Sequence, residues 1–315
     1  MKKKFINESH IEGYLYDHKL EKKVTGANSK APGTEFINGE IMIATDEKLE
    51  NVVKIHYTYE TATFAKSGSA NSRFPILSKI IDENPTVLNI GQDKALKLRC
   101  DSAIELNEWF PQVTDEKPTS VVRNEGGFIH IVASLNEDEK QRNTFKTDML
   151  ITNVKDIEAD PEKKIDAHVK VRGAVFQDFR KQLMPVDFVV RGAGGMKYFQ
   201  SLEVSPKNPI FTTVWGRQLS KTVITKTVTE SAFGEDEVRE RQNTTREFVI
   251  TGCSKEPYEF DDENTLTKAE VSKMMADREI YLADLKQRRV DYENSKGGSS
   301  SAAAVTVGND DSYNF

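Results

Sequence analysis

Between His168 and Val175 the chain alternates two kinds of residue. Val169, Val171, Gly173 and Val175 fall on one side by period-two spacing, and His168, Lys170, Arg172 and Ala174 on the other. A strand written this way has an apolar face for a core and a cationic face for an anion. Arg191 on the next strand adds another cation, and Phe176, Phe179, Arg180 and Lys181 crowd the turn between the two strands. The same interleaving occurs upstream. Lys54, His56 and Thr58 alternate with Val53, Ile55, Tyr57 and Tyr59, and Phe64, Lys66 and Arg73 flank a Gly/Ser loop. Trp215, Arg217, Lys221 and Lys226 follow in a long strand-like region. Cations track a polyanionic backbone, while aromatic rings stack on planar bases for about 1–3 kcal/mol each. That combination holds an unpaired polynucleotide without reading its sequence. Each basic residue taken singly is ordinary as a solvated strand charge, so the argument rests on their repetition beside rings. For Tyr57 and Tyr59 two readings stay open, because parity puts them with Val53 and Ile55 on the core side unless a bulge re-aims them.

Other chemistries lack their residues. His10, His18, His56, His130 and His168 are scattered without metal-ligand spacing, and two distant cysteines cannot build a structural zinc site. Gly192-Ala193-Gly194-Gly195 lacks both the lysine of a phosphate-gripping loop and the dinucleotide-binding pattern, so it reads as a turn. Acidic pairs sit in charge-rich connectors, where solvated surface is the simpler explanation. The chain is therefore expected to be no enzyme and to need no cofactor or metal, although a nuclease-type carboxylate cluster assembled from distant strands would be invisible at this level.

The net charge of −6 argues against a nucleic-acid partner only on average. Acids concentrate in Glu137-Asp138-Glu139, Glu158 to Glu162, Glu235-Asp236-Glu237 and Asp261-Asp262-Glu263, leaving several strand-like segments with basic charges alone. A groove responds to its local field, which can be positive on an acidic protein. No apolar run approaches the length of a membrane span, and Met1-Lys2-Lys3-Lys4-Phe5 does not open a secretory signal, so a cytoplasmic protein with no membrane partner is expected. Cys100 and Cys253 read as two buried thiols.

The elements that must position these residues are mostly strands. After an N-terminal arm (1–10), a first β-rich domain spans 11–140. Its strands are predicted at Gly13 to Leu20, Phe36 to Thr45, Val53 to Tyr59, Leu96 to Ile104 and Gly127 to Ser134, with a helix from Phe74 to Asp82 stopped at Asn84-Pro85. A second domain over 145–260 repeats the plan, with a short helix over Met196 to Val204. Three strands, a helix and two more strands is the order of a five-stranded Greek-key barrel of the oligonucleotide-binding (OB) type. The predicted fold is thus mainly β: tandem OB-like barrels without a residue-level repeat between them. A long helix follows within 261–296, with Thr267 and Glu270 spaced as a capping box. Its apolar seam suits docking on the second barrel; self-association as a short coiled coil is the alternative, interrupted by Arg278.

Residues 297–315 run through Gly, Ser and Ala to Asn309-Asp310-Asp311-Ser312-Tyr313-Asn314-Phe315. Too little apolar surface is present to offset ordering, so a disordered tether is predicted. Asp310, Asp311, Tyr313 and Phe315 suit a basic pocket with an apolar floor. This ending resembles the acidic C-terminal tip of bacterial and phage single-stranded DNA-binding proteins, which recruit replication and repair enzymes through it. The segment Tyr59, Phe64, Lys66, Asn71 and Phe74 is also similar to the strand-loop-helix passage of phage single-stranded DNA-binding barrels. The resemblance implies single-stranded DNA as partner, with replication or recombination proteins captured by the tip, in the bacterial host cytoplasm if the chain is phage-encoded. A phage virion structural or assembly protein with two β-domains is the alternative, and its binding to oligo-dT would show no steep salt dependence.

Overall fold

The computed structural model describes residues 4–27, 29–64, 67–161, 165–177, 182–229, 237–261 and 265–297, with the backbone alone described for 221–229, 237–245 and 296–297. The first barrel is built from β1 (Asn7–His18), β2 (Glu21–Val24), β3 (Glu35–Ala44), β4 (Val52–Thr61), helices α1 (Arg73–Glu83) and α2 (Val87–Ile90), β5 (Lys97–Trp109) and β6 (Thr119–Ile131). The second comprises β7 (Asn143–Ile157), β8 (His168–Gln177), β9 (Gln182–Val190), helix α3 (Ala193–Gln200), β10 (Ile210–Thr229) and β11 (Glu237–Cys253); helix α4 (Lys268–Gly297) follows.

Pairing closes each set into a ring. In the first, β1 pairs antiparallel with β3, β3 with β4, β4 parallel with β6, β6 antiparallel with β5, and β5 with β1. In the second, β7–β8, β8–β9, parallel β9–β11, β11–β10 and β10–β7 trace the same circuit. Five strands in this connectivity, with a helix after the third, define the OB barrel, so the chain carries the tandem OB architecture expected. Asn7–Ile11 of β1 also pairs with Asn143–Thr147 of β7, which fuses both rings into one 11-stranded sheet. Residues 7–10, read from sequence as part of an arm, are therefore strand. At Gly13, where β1 turns to meet β3, a Cβ would stand 2.0 Å from the Ala44 carbonyl oxygen, so only a bare backbone closes the ring.

Alternation fills the cores. Ile37, Ile41, Ile43, Val53, Ile55 and Leu98 bury inside the first barrel with Leu77 and Ile80 of α1. That helix ends where Asn84 takes a left-handed conformation before Pro85. Val169, Val171, Val175, Val186, Phe188 and Phe248 fill the second, joined by Ile104 and Leu106 from β5, so packing continues across the junction. Cys100 is fully buried, its thiol pushed up to about 12 by burial, while Cys253 is only half-buried. Among the described residues no helix is long and apolar enough to cross a membrane.

A third apolar layer lies outside the second barrel. Leu266 and Val271 bury against Leu150, Ala174, Phe176, Leu183 and Phe211, with Met274 and Met275 packed alongside. Thr267 and Glu270 form the expected capping box: Thr267 Oγ1 accepts from the Glu270 N–H at 3.0 Å, and Glu270 Oε2 accepts from the Thr267 N–H at 2.9 Å. Helix α4 thus docks on the second barrel, as its seam suggests, and then continues to the first. Arg278 pairs with Glu108 of β5 at 2.5 Å, and Lys286 lies 5.8 Å from the centroid of the Phe110 ring. The residue that interrupts the seam makes the contact with the other barrel. Because the Glu108 side chain is 3% exposed, Arg278→Ala strands a buried carboxylate. Urea denaturation is expected to show a loss of about 3 kcal/mol, largely recovered in Arg278→Met/Glu108→Leu.

Candidate nucleic-acid interface

Oligonucleotide-binding barrels present the outer face of their second and third strands, which here are β3–β4 and β8–β9. Lys54 and His56 stand on the first of these faces, as their parity predicts. Both are half-buried and both reach Glu40 on the neighbouring strand: Lys54 Nζ at 2.5 Å and His56 Nε2 at 3.3 Å. Burial pushes the Glu40 carboxyl up, but the hydrogen bond and charge of Lys54, with His56 and Lys19, outweigh this and hold it below the ordinary range. On the second face Arg172 binds both oxygens of Asp187, at 2.7 and 2.9 Å, and Lys170 lies 2.7 Å from the same carboxylate. Arg191 pairs with Glu247 of β11 at 2.6 Å. Each cationic face therefore contains a carboxylate placed by strand register, with Glu40 opposite His56 and Asp187 opposite Arg172. Spacing within one strand does not reveal these partners.

Two predicted contacts are corrected. Tyr57 is 1% exposed inside the first barrel, its phenol held well above the usual range by burial, and cannot stack on a base. β4 keeps its alternation from Val53 to Tyr57, and its extra residue falls beyond, between Tyr57 and Glu60 opposite Ile37 and Gly39. Phe176 is 3% exposed, stacked on Phe5 at 3.9 Å beneath the layer that α4 covers. Its side of β8 faces outward, and a helix distant in sequence covers it. Tyr59 is half-buried with its ring centroid 4.7 Å from that of Phe36.

The remaining rings are accessible. Phe64 is 37% exposed, with the Arg73 guanidinium 5.6 Å from its centroid, and Arg73 Nε is 3.0 Å from Glu60. Trp215 is 41% exposed and lies against Gly252, where a Cβ would stand 2.5 Å from the indole nitrogen. Lys146, exposed and unpredicted, stands opposite it on β7. Arg217 is half-buried and forms no ion pair among the described residues. Lys221 stands opposite Thr245 where the β10–β11 hairpin begins to extend. Lys66, Phe179, Arg180 and the tip residues Asp310, Asp311, Tyr313 and Phe315 lie outside the described residues. No three His, Cys, Asp or Glu side chains among the described residues are placed to hold a metal ion.

Between the barrels lies a small cleft, lined by Lys54, His56 and Arg123 from the first barrel and Gln218, Ser220, Arg246 and Glu247 from the second. Sequence reading missed Arg123 and Arg246, which neither flank an aromatic nor repeat on a marked strand. Burial, then the charges of Arg123, Lys54 and Arg246, lower the His56 pKa to about 4 against the opposing pull of Glu40.

Two OB barrels sharing one sheet, with cations and exposed rings on their outer faces, define a tandem OB-fold protein. The chain belongs to the YorF family, whose model matches residues 6–288. No curated protein matches it. Among solved structures, the wild-type single-stranded DNA binding protein from Thermus aquaticus is similar at 10% identity and a TM-score of 0.46, over 82% of this chain and 97% of that chain. A deletion mutant of the same protein is similar at 10% identity and a TM-score of 0.44, over 82% and 98%. With both scores this low, the fold assignment rests on strand connectivity.

The His56 environment has a signed consequence. An unfolded chain binds a proton near pH 6.5, while the folded chain resists until about 4. Between those values the unfolded state holds more protons, so stability falls as pH drops through the window. His56→Gln is expected to reduce the stability difference between pH 7.5 and pH 5 by on the order of 1 kcal/mol in urea denaturation.

Proposed function

We propose that this protein binds single-stranded DNA without sequence preference and performs no catalysis itself. The observation that supports this best is the repeated placement of cations on the second and third strands of both barrels: Lys54 and His56 on one, Lys170 and Arg172 on the other. Phe64 and Trp215, both more than a third exposed, are available for stacking. The internal carboxylates Glu40 and Asp187 temper the reading in a useful way. Phosphates must compete with them, so the faces favour a flexible strand that can adjust its path. Binding to oligo-dT, followed by fluorescence anisotropy, is expected to weaken as salt rises from 50 to 200 mM and to exceed binding to duplex of the same length. Indifference to oligo-dT at low salt overturns the reading.

The acidic tip gives the protein a second role, capture of replication or recombination enzymes at the DNA. Its carboxylates also compete weakly with DNA for the cationic faces when no strand is bound. Deleting 310–315 is expected to leave oligo-dT affinity equal or higher while abolishing partner capture from a host lysate. A strong loss of DNA affinity in the truncated chain would falsify the competition.

A further inference from the structure

We propose that the inter-barrel cleft seats a backbone phosphodiester of the bound strand, held by Arg123 and Arg246 over His56, so that the strand passes from one barrel to the other through the junction. This deepens the single-stranded DNA reading and rests on it. The cleft brings together three strands with no sequence proximity: Lys54 and His56 from β4, Arg123 from β6 and Arg246 from β11. Three of these four groups stand beside a carboxylate. Glu40 serves Lys54 and His56, and Glu247 serves Arg191. Glu125 accepts from Thr58 and stands 2.6 Å from Arg123 Nε, which is buried yet lacks an aligned acceptor. Arg246 is exposed and forms no ion pair among the described residues.

The cleft floor cannot supply the missing acceptors. Val53, Val122 and Phe248 are apolar. The side-chain amides of Asn124 and Gln218 donate to each other, to the Lys54 carbonyl and to Ser9. The one carboxylate lining the cleft, Glu247, is paired with Arg191, so the cleft carries more cations than acids. The His56 environment agrees: burial first, then the charges of Arg123, Lys54 and Arg246, lowers its pKa against the pull of Glu40. A phosphate beside it reverses that balance, so binding draws a proton onto His56. Free inorganic phosphate offers the same oxygens, and the two sources are separable.

The experiment compares the full chain with Arg246→Gln, Arg123→Gln and the distant control Lys79→Gln. Each is titrated with labelled oligo-dT at several salt concentrations, with the His56 ring followed by NMR against oligo-dT and against inorganic phosphate. Expected are roughly fivefold weaker binding for each cleft variant, a log–log salt slope shallower by about 0.7, no change for Lys79→Gln, and a rise in the His56 pKa with oligo-dT. Arg246→Lys, which keeps the charge, is expected to restore the slope and guards against misfolding of the Arg123 variant. If wild type binds oligo-dT while both glutamine variants keep its affinity and slope and His56 does not respond, the cleft assignment fails and the DNA-binding reading stands. If inorganic phosphate moves His56 but oligo-dT does not bind, the phosphodiester is overturned together with that reading.

Discussion

A single buried amide side chain, Gln218, carries the junction between the barrels. Its Nε2 donates to Ser9 Oγ and Asn124 Oδ1, both at 3.0 Å, and its Oε1 accepts from Asn124 at 2.8 Å. Its backbone carbonyl accepts from Asn51 at 3.2 Å and from Asn143. Ser9, Asn51 and Asn124 belong to the first barrel, Asn143 and Gln218 to the second, and all except half-buried Asn51 are nearly inaccessible. In such a place every donor left without an acceptor costs about 1–3 kcal/mol, so the network permits one alignment and penalises the others. Pairing of β1 with β7 fixes the same alignment through the backbone. The cleft exists because this seam holds β4 and β6 beside β10 and β11.

Charge is distributed with restraint on this frame. An acidic protein that carried bare cationic strands would spend stability on repulsion within each face. Glu40 and Asp187 relieve it, yet each faces two basic side chains, Lys19 and Lys54 on one and Lys170 and Arg172 on the other. Arg172 is exposed enough that its pairing with Asp187 adds little stability, and a phosphate can displace the carboxylate at small cost. Around His56 the relief is incomplete: burial lowers its pKa most, and Arg123, Lys54 and Arg246 add to this against Glu40.

Strand order and the two short helices were legible in the sequence because alternation and punctuation are local properties. The Thr267–Glu270 cap was legible for the same reason, and so was the outward direction of Lys54, His56, Lys170 and Arg172. What sequence could not reveal depends on neighbours distant in the chain. Phe176 looks like a turn aromatic until Phe5 and α4 cover it. Tyr57 could stack only if β4 bulged ahead of it, and the extra residue falls after it, between Tyr57 and Glu60. Arg123 and Arg246 gain meaning only when two barrels meet. The boundary drawn at residue 11 missed strand residues because Asn7 to His10 have no alternation of their own and owe their pairing to β7 and β5.

Helix α4 comes after both barrels in the chain and touches both, through its apolar first turns on one and Arg278 and Lys286 on the other. During synthesis each barrel's last strand emerges before the helix does. The buried carboxylate of Glu108 must meanwhile remain hydrated, keeping that corner of the first barrel loose. Assembly therefore proceeds in an enforced order, and this late strut braces the pair of barrels only after both have closed.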